Sequence, residues 1–161
     1  MKLTSKGRFA VTALVDLTIS ESSFPVSLND ISKRQNISLS FLEQIFNNLR
    51  KSGIVESIRG PSGGYKLSRH PSKIMISDII SAINEEVKIT MCNGFDFGCT
   101  SIKRSGKCLT HNLWAELGNH IFFYLSSISL DDVRKNKLNP ISNYMSLKYA
   151  DEEPNNESLK N

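Results

Sequence analysis

The stretch ISLSFLEQIFNNLRKSGIVESIRGPSGGYKLS, residues 37–68, decides the fold. Its first half carries Leu42, Ile45, Phe46 and Leu49 at helical spacing, an inward stripe on a helix expected over about 39–51 behind Ser38 as its cap. Ser40, Glu43, Gln44, Asn47 and Lys51 form a second stripe displaced by two residues, which is about 200° around a helix of 3.6 residues per turn. That second face points away from the core. Gly53 ends the helix as a left-handed cap, and VESI, RGPSGG and YKLS then read as strand, turn and strand.

Working outward, Ser27-Leu-Asn-Asp30 reads as a capping box, with Val26 before it and Leu28 and Ile31 as the apolar residues of a short helix. Gln35-Asn36 makes a turn. Two short helices around a tight turn, the second with an amide-rich outer face, are the helix-turn-helix arrangement that lays such a face in the major groove. Asn and Gln pair with adenine there, and Glu accepts from the cytosine amino group. An ordinary polar surface is the plainer account of the helix pair alone, but the hairpin that follows completes a winged helix. Arg59 sits at the hairpin bend, where a long cation can enter a narrow minor groove. Phe41 and Gly60, beside these residues, complete the expected DNA-binding set of Ser40, Phe41, Glu43, Gln44, Asn47, Lys51, Arg59 and Gly60. RGPSGG as a phosphate-binding loop is disfavoured, because it lacks the GK[ST] ending and a following helix.

Before this unit, Phe9, Ala10, Ala13, Leu14 and Leu17 recur at helical spacing behind Thr4 or Ser5, and predict a core helix over 5–20. Asp16 interrupts the apolar run after Lys2, Lys6 and Arg8. With no cleavage site following, the segment is not a secretory signal, and no stretch is long enough to span a bilayer. A cytoplasmic protein is expected. Residues 1–73 hold 11 Lys and Arg against 5 Asp and Glu, a net +6, whereas residues 74–161 carry −2. The basic half suits a polyanion, although a solvated basic face has the same composition.

After the wing, Ser77–Asn84 reads as a linking helix with Ile79, Ile80 and Ile83 inward. All three cysteines then fall in one Gly-rich stretch as C-x6-C-x8-C-x2-H, from Cys92 through Cys99 and Cys108 to His111. An odd count without a secretory signal argues against disulfides. Three thiols and an imidazole suit a metal site, and an i, i+3 pair of Cys108 and His111 at a helix start could chelate. The open gaps favour an iron-sulfur cluster over zinc, whose structural sites usually pair cysteines at short spacing; unliganded thiols are the third possibility. A helix over about 109–126 follows, with Leu113, Leu117, Ile121, Tyr124 and Leu125 on one side and Trp114, Phe122 and Phe123 around it. Its apolar excess predicts a covered partner surface, with packing inside one subunit as the alternative. Ser129 and Asp132 fit a last short helix, and the chain is polar beyond Asn136. His70 and His120 have no ligand partner at suitable spacing.

The segments LTSKGRFAVTAL, ISLSFLEQIFNNLRKSG, RGPSGGYKL and CLTHNLW together resemble the iron-sulfur cluster regulators of the IscR type, a family of winged-helix transcription regulators, over residues 1 to about 135. The resemblance implies a [2Fe-2S] cluster held by Cys92, Cys99, Cys108 and His111. It also implies base reading by Ser40, Glu43 and Gln44, Arg59 in the minor groove, a homodimer across the long helix, and double-stranded DNA with pseudo-palindromic promoter sites as partner. Control of cluster-assembly genes, by repression or activation, follows from the same likeness, with apo and holo forms binding different classes of site. Regulators of this family that sense nitric oxide or iron itself are the nearest alternative, and a zinc-stabilised DNA-binding module without sensing is another. No substrate pocket or nucleotide motif supports an enzyme or a small-molecule substrate. The first two gaps are longer than in that family, at six and eight residues. Extending a flexible loop by a few residues adds only about a few tenths of a kcal/mol of closure entropy, so ligation is expected to survive. Lys103, Arg104 and Lys107 in the enlarged loop are read as solvated.

The expected architecture is therefore mainly α. A winged helix-turn-helix DNA-binding domain with a two-stranded wing (1–73) precedes a linker helix, a cluster-binding loop and a long dimerisation helix (74–135), then a polar, disordered tail (136–161).

Overall fold

The computed structural model describes residues 5–19, 24–85 and 110–138. Its elements are α1 (Ser5–Ile19), α2 (Leu28–Gln35), α3 (Leu39–Lys51), β1 (Val55–Ile58), β2 (Gly64–Leu67), α4 (Ile76–Ala82), α5 (His111–Ser126) and α6 (Leu130–Arg134), with a 3-10 turn at Pro71–Lys73.

Helix α1 is the central element. Ala10, Ala13, Leu14 and Leu17 are buried on it, and Phe9 is half-buried. The predicted apolar spacing thus builds the core, and two small residues let neighbouring helices approach closely. Half of the expected capping box at the start of α2 forms: the Ser27 hydroxyl accepts from the Asp30 amide at 3.1 Å, while the Asp30 carboxylate accepts from that hydroxyl at 2.7 Å in place of the Ser27 amide. Asn36 takes the left-handed conformation (φ 52°) and turns the chain toward α3. Ile37 follows it into the core, with its amide on the Ser32 carbonyl at 3.2 Å and its carbonyl accepting from the Ser32 hydroxyl at 2.6 Å. Ser38 occupies the N-cap of α3 in extended backbone, but its side chain makes no capping bond, so its contribution there is conformational.

Leu42, Ile45, Phe46 and Leu49 form the buried face of α3 as expected. Gly53 has a φ of +68°, a conformation that side chains with a Cβ resist, and lets the chain leave α3 for β1. β1 and β2 pair antiparallel, with Val55 opposite Leu67 and Ile58 opposite Gly64.

Packing does not stop at residue 73. Ile74, Ile76, Ile79, Ile80, Ile83 and Leu130 are buried in the same cluster as α1 and α3. The linking helix is Ile76–Ala82, one residue earlier at its start and two shorter at its end than expected. Asn84 adopts a left-handed φ of 55° and ends it. A short antiparallel pairing draws the segment after α5 back: the Ile76 amide donates to Ile128 at 2.9 Å and the Leu130 amide to Ile74 at 2.8 Å. α6 is the expected last short helix, and Ser129 and Asp132 form a capping box at its start.

Candidate nucleic-acid interface

Because Leu42, Ile45, Phe46 and Leu49 are drawn inward, the opposite side of α3 is left to solvent. Ser40, Glu43, Gln44, Asn47 and Lys51 are all exposed. Phe41 differs from them. It is half-buried, with its ring edge-on to Phe9 at 5.9 Å, and so joins α3 to α1. Arg59 and Gly60 are exposed at the tip of the hairpin, immediately after the last residue of β1. The structure therefore leaves two surfaces open to solvent, a polar helix face and a cationic tip.

The helix-turn-helix is held at its turn by a feature that the apolar pattern does not announce. Asp16, on α1 and only 6% exposed, accepts from Arg34 Nε at 3.1 Å to each carboxylate oxygen, from Arg34 Nη2 at 2.6 Å, and from Gln35 Nε2 at 2.7 Å. Arg34 and Gln35 are the last two residues of α2. Burial acts to raise the Asp16 pKa, but the hydrogen bonds from Arg34 and Gln35 and the Arg34 charge outweigh it and hold the carboxyl below its ordinary range. The same contact raises Arg34. The signal for this clamp was the acid itself, a lone charge between Ala13 and Leu17 on an otherwise apolar face.

The wing is tied to both neighbours. The amides and carbonyls of Val26 and Tyr65 exchange hydrogen bonds at 2.9 and 2.8 Å, and the Tyr65 ring meets Phe46 edge-on at 5.0 Å. Glu56 and Lys66 pair across the strands at 3.4 Å, both about half exposed, and contribute little.

Cys92, Cys99 and Cys108 lie outside the described residues, as does the side chain of His111, so the expected pairing of Cys108 with His111 is not described. His111 is the first residue of α5. Among the described residues there is no cluster of His, Cys, Asp or Glu that could hold a metal, and no helix long and apolar enough to cross a membrane. His70 accepts from the Ser72 amide at the 3-10 turn, a local structural role. α5 keeps much of its apolar surface in the open: Leu113 is 61% exposed and Phe123 77%, with Trp114, Leu117 and Phe122 also exposed. Only at its far end do Leu125 and the following Ile128 pack on the core.

A helix-turn-helix with an outward polar face and an adjoining wing defines a DNA-binding protein of the winged-helix class. Residues 3–136 match the Rrf2 family, described as iron-dependent transcriptional regulators, and the chain belongs to that family. It is a transcription regulator, not an enzyme. The HTH-type transcriptional regulator IscR of Xenorhabdus nematophila is 50% identical over 137 residues, 85% of this chain and 81% of the relative. Among solved structures, IscR of T. potens superposes with a TM-score of 0.67 at 34% identity, covering 86% of this chain and 89% of that one. CymR, the global cysteine regulator of B. subtilis, gives 0.69 at 28% identity over 84% of this chain and 98% of that one.

Proposed function

We propose that this chain is an iron-sulfur sensor that controls cluster-assembly genes, holding a [2Fe-2S] cluster through Cys92, Cys99, Cys108 and His111 and reading promoter DNA as a homodimer. The observation that carries it is the placement of His111. It opens α5, whose 16 residues span about 24 Å at the usual helical rise and whose next-to-last residue, Leu125, packs on the core that holds α3. A change of ligation at the start of this helix would reach α3 through α4 and the core they share.

The donor set fits the cluster. Thiolates are the ordinary ligands of [2Fe-2S] iron, and imidazole replaces thiolate in known mixed sites. When bound, the cluster supplies a labile iron centre whose presence reports iron-sulfur supply. The residues of the chain do the rest. Cys92, Cys99 and Cys108 would supply three thiolates, and His111 would supply the fourth ligand from the start of α5. The exposed side chains of Leu113, Trp114, Leu117, Phe122 and Phe123 meet the same helix of a second copy, which removes apolar surface from water. Two copies present two α3 faces and two wings, and so select a pseudo-palindromic site.

Anaerobically purified protein is expected to contain about two iron and two sulfide per chain, lost in Cys92→Ala. Zinc at about one per chain without visible absorption would overturn the cluster and leave a structural metal site. Phe123→Glu is expected to shift the protein from dimer to monomer in sedimentation, because a charge would enter the most exposed apolar position of α5.

At the DNA, Gln44→Ala is expected to relax base choice at one position of each half-site by about 1–3 kcal/mol. Arg59→Ala should weaken sites flanked by a narrow minor groove more than others. Both are read by titrating a panel of operator variants. If the two variants retained the affinity profile of the parent, α3 and the wing would not be the reading elements.

A further inference from the structure

Beyond the base of the wing, where Val55 and Leu67 are set in or against the core, Tyr65 links the hairpin to both helices of the helix-turn-helix. Tyr65 exchanges two backbone hydrogen bonds with Val26, the residue that leads into the Ser27 cap of α2, and its ring rests on Phe46, on the buried face of α3. One residue earlier, Gly64 lies so close to Val26 that a Cβ there would collide with the Val26 carbonyl and stand 2.6 Å from its carbon. β2 is thus packed backbone to backbone against the entry of the helix-turn-helix.

The strand pairing carries this anchor to the tip. Ser57 is opposite Tyr65 and Ile58 opposite Gly64, so Arg59 leaves β1 directly after the two anchored pairs. The arm between the anchor and the guanidinium is then one backbone step plus the Arg59 side chain. A hairpin held only by its own two strands would swing, since an isolated two-stranded ribbon is marginal in water.

The geometry points to Tyr65 as a positioning residue that sets the span between the major-groove contacts of α3 and the minor-groove contact of Arg59, so that the protein selects operators by the spacing of those two features as well as by their bases. This rests on the reading of α3 and Arg59 as the DNA-contacting elements. One base pair more or less between the two features moves the minor-groove tract by about 3.4 Å, which is larger than a hydrogen bond tolerates.

The test uses the full-length chain and an operator selected from a random duplex library, together with duplexes in which one base pair is inserted or deleted between the bases read by α3 and the flanking minor-groove tract. The parent is expected to bind the altered duplexes about tenfold or more weakly. Tyr65→Thr keeps a strand-forming residue but removes the ring, and should bring the ratio to within about twofold. Tyr65→Phe preserves the edge-on contact and should restore the parental ratio. Gly64→Ala, which pushes β2 off Val26, should flatten the ratio by an independent route and serves if Tyr65→Thr does not fold. A merely structural role for Tyr65 would lower the melting temperature and leave the ratio intact, and that result in a folded variant overturns the proposal. Absence of any spacing preference in the parent overturns it without recourse to variants. Arg59→Ala separates the two levels: if it keeps the preference, the minor-groove reading of Arg59 fails. If it abolishes the preference while Tyr65→Thr does not, only the positioning role fails.

Discussion

Phe46→Ala is expected to lower the free energy of unfolding by about 3–5 kcal/mol, the largest effect of any single truncation considered for this chain. Phe46 is fully buried, and it is the one large ring on the inner face of α3. Truncation leaves a void between α3, the core around α1 and the wing, and it removes the edge-on partner of Tyr65. The transfer term and the cavity term therefore act together, and an aromatic pair worth about 0.5–1.5 kcal/mol beyond its area is lost as well. Phe46→Leu should cost less, because the void is smaller. Equilibrium urea unfolding followed by far-UV circular dichroism measures both. A loss below about 1 kcal/mol for the alanine variant would mean that the core collapses around the site and that α3 is not held as described.

Arg34→Met is expected to destabilise the protein at neutral pH by about 2–3 kcal/mol. Breaking a buried ion pair costs more than this when both partners are enclosed, but Arg34 is 44% exposed and water screens the pair from that side. The loss arises because Asp16 stays buried on α1 without its principal partner. Its pH dependence has a definite sign. In the parent the Asp16 carboxyl is held below its ordinary value of 3.8. A depressed carboxyl contributes stability that is fully present above the unfolded-state value and is lost as pH falls through the folded-state value. The gap between parent and variant should therefore be widest near neutrality and narrow as the solution is taken down through the carboxylate range, where Asp16 protonates and needs no cation. Urea midpoints measured across that range check it, and a gap independent of pH would exclude the clamp as its cause. Since Arg34 and Gln35 are the last residues before the Asn36 turn, the variant should also bind operator more weakly under conditions in which it is fully folded.

The loss of the iron complement in Cys92→Ala and the dissociation of Phe123→Glu concern the other half of the chain. They probe the link between sensing and reading, and neither depends on the stability of the helix-turn-helix. The DNA variants at Gln44 and Arg59 probe the reading head without altering the core, because both side chains are exposed.

Much of the winged helix-turn-helix was legible in the residues because its determinants are local. The 3.6-residue period of Leu42, Ile45, Phe46 and Leu49 assigns the inner face of α3, and the outer face follows from it by rotation alone. The Ser27 cap on Asp30, the Ser129–Asp132 box and the left-handed turn at Gly53 involve groups a few residues apart, so sequence determines them. The proposed ligand set of Cys92, Cys99, Cys108 and His111 rests instead on a chemical inventory and a resemblance, since a donor list carries no geometry. Tertiary structure alone decided the long-range contacts. It placed Asp16 under Arg34 and Gln35, 18 and 19 residues away, and turned what read as an interruption into the clamp of the helix-turn-helix. It set Phe41 against Phe9, partly inward from the polar face beside it. It paired Val26 with Tyr65 and brought Leu130 back beside Ile74, so that one core serves both halves of the chain. Periodicity and capping report how a segment relates to itself, whereas these contacts depend on how far separate segments travel before they meet, and that is settled only when the apolar faces of α1, α3 and α4 are buried together.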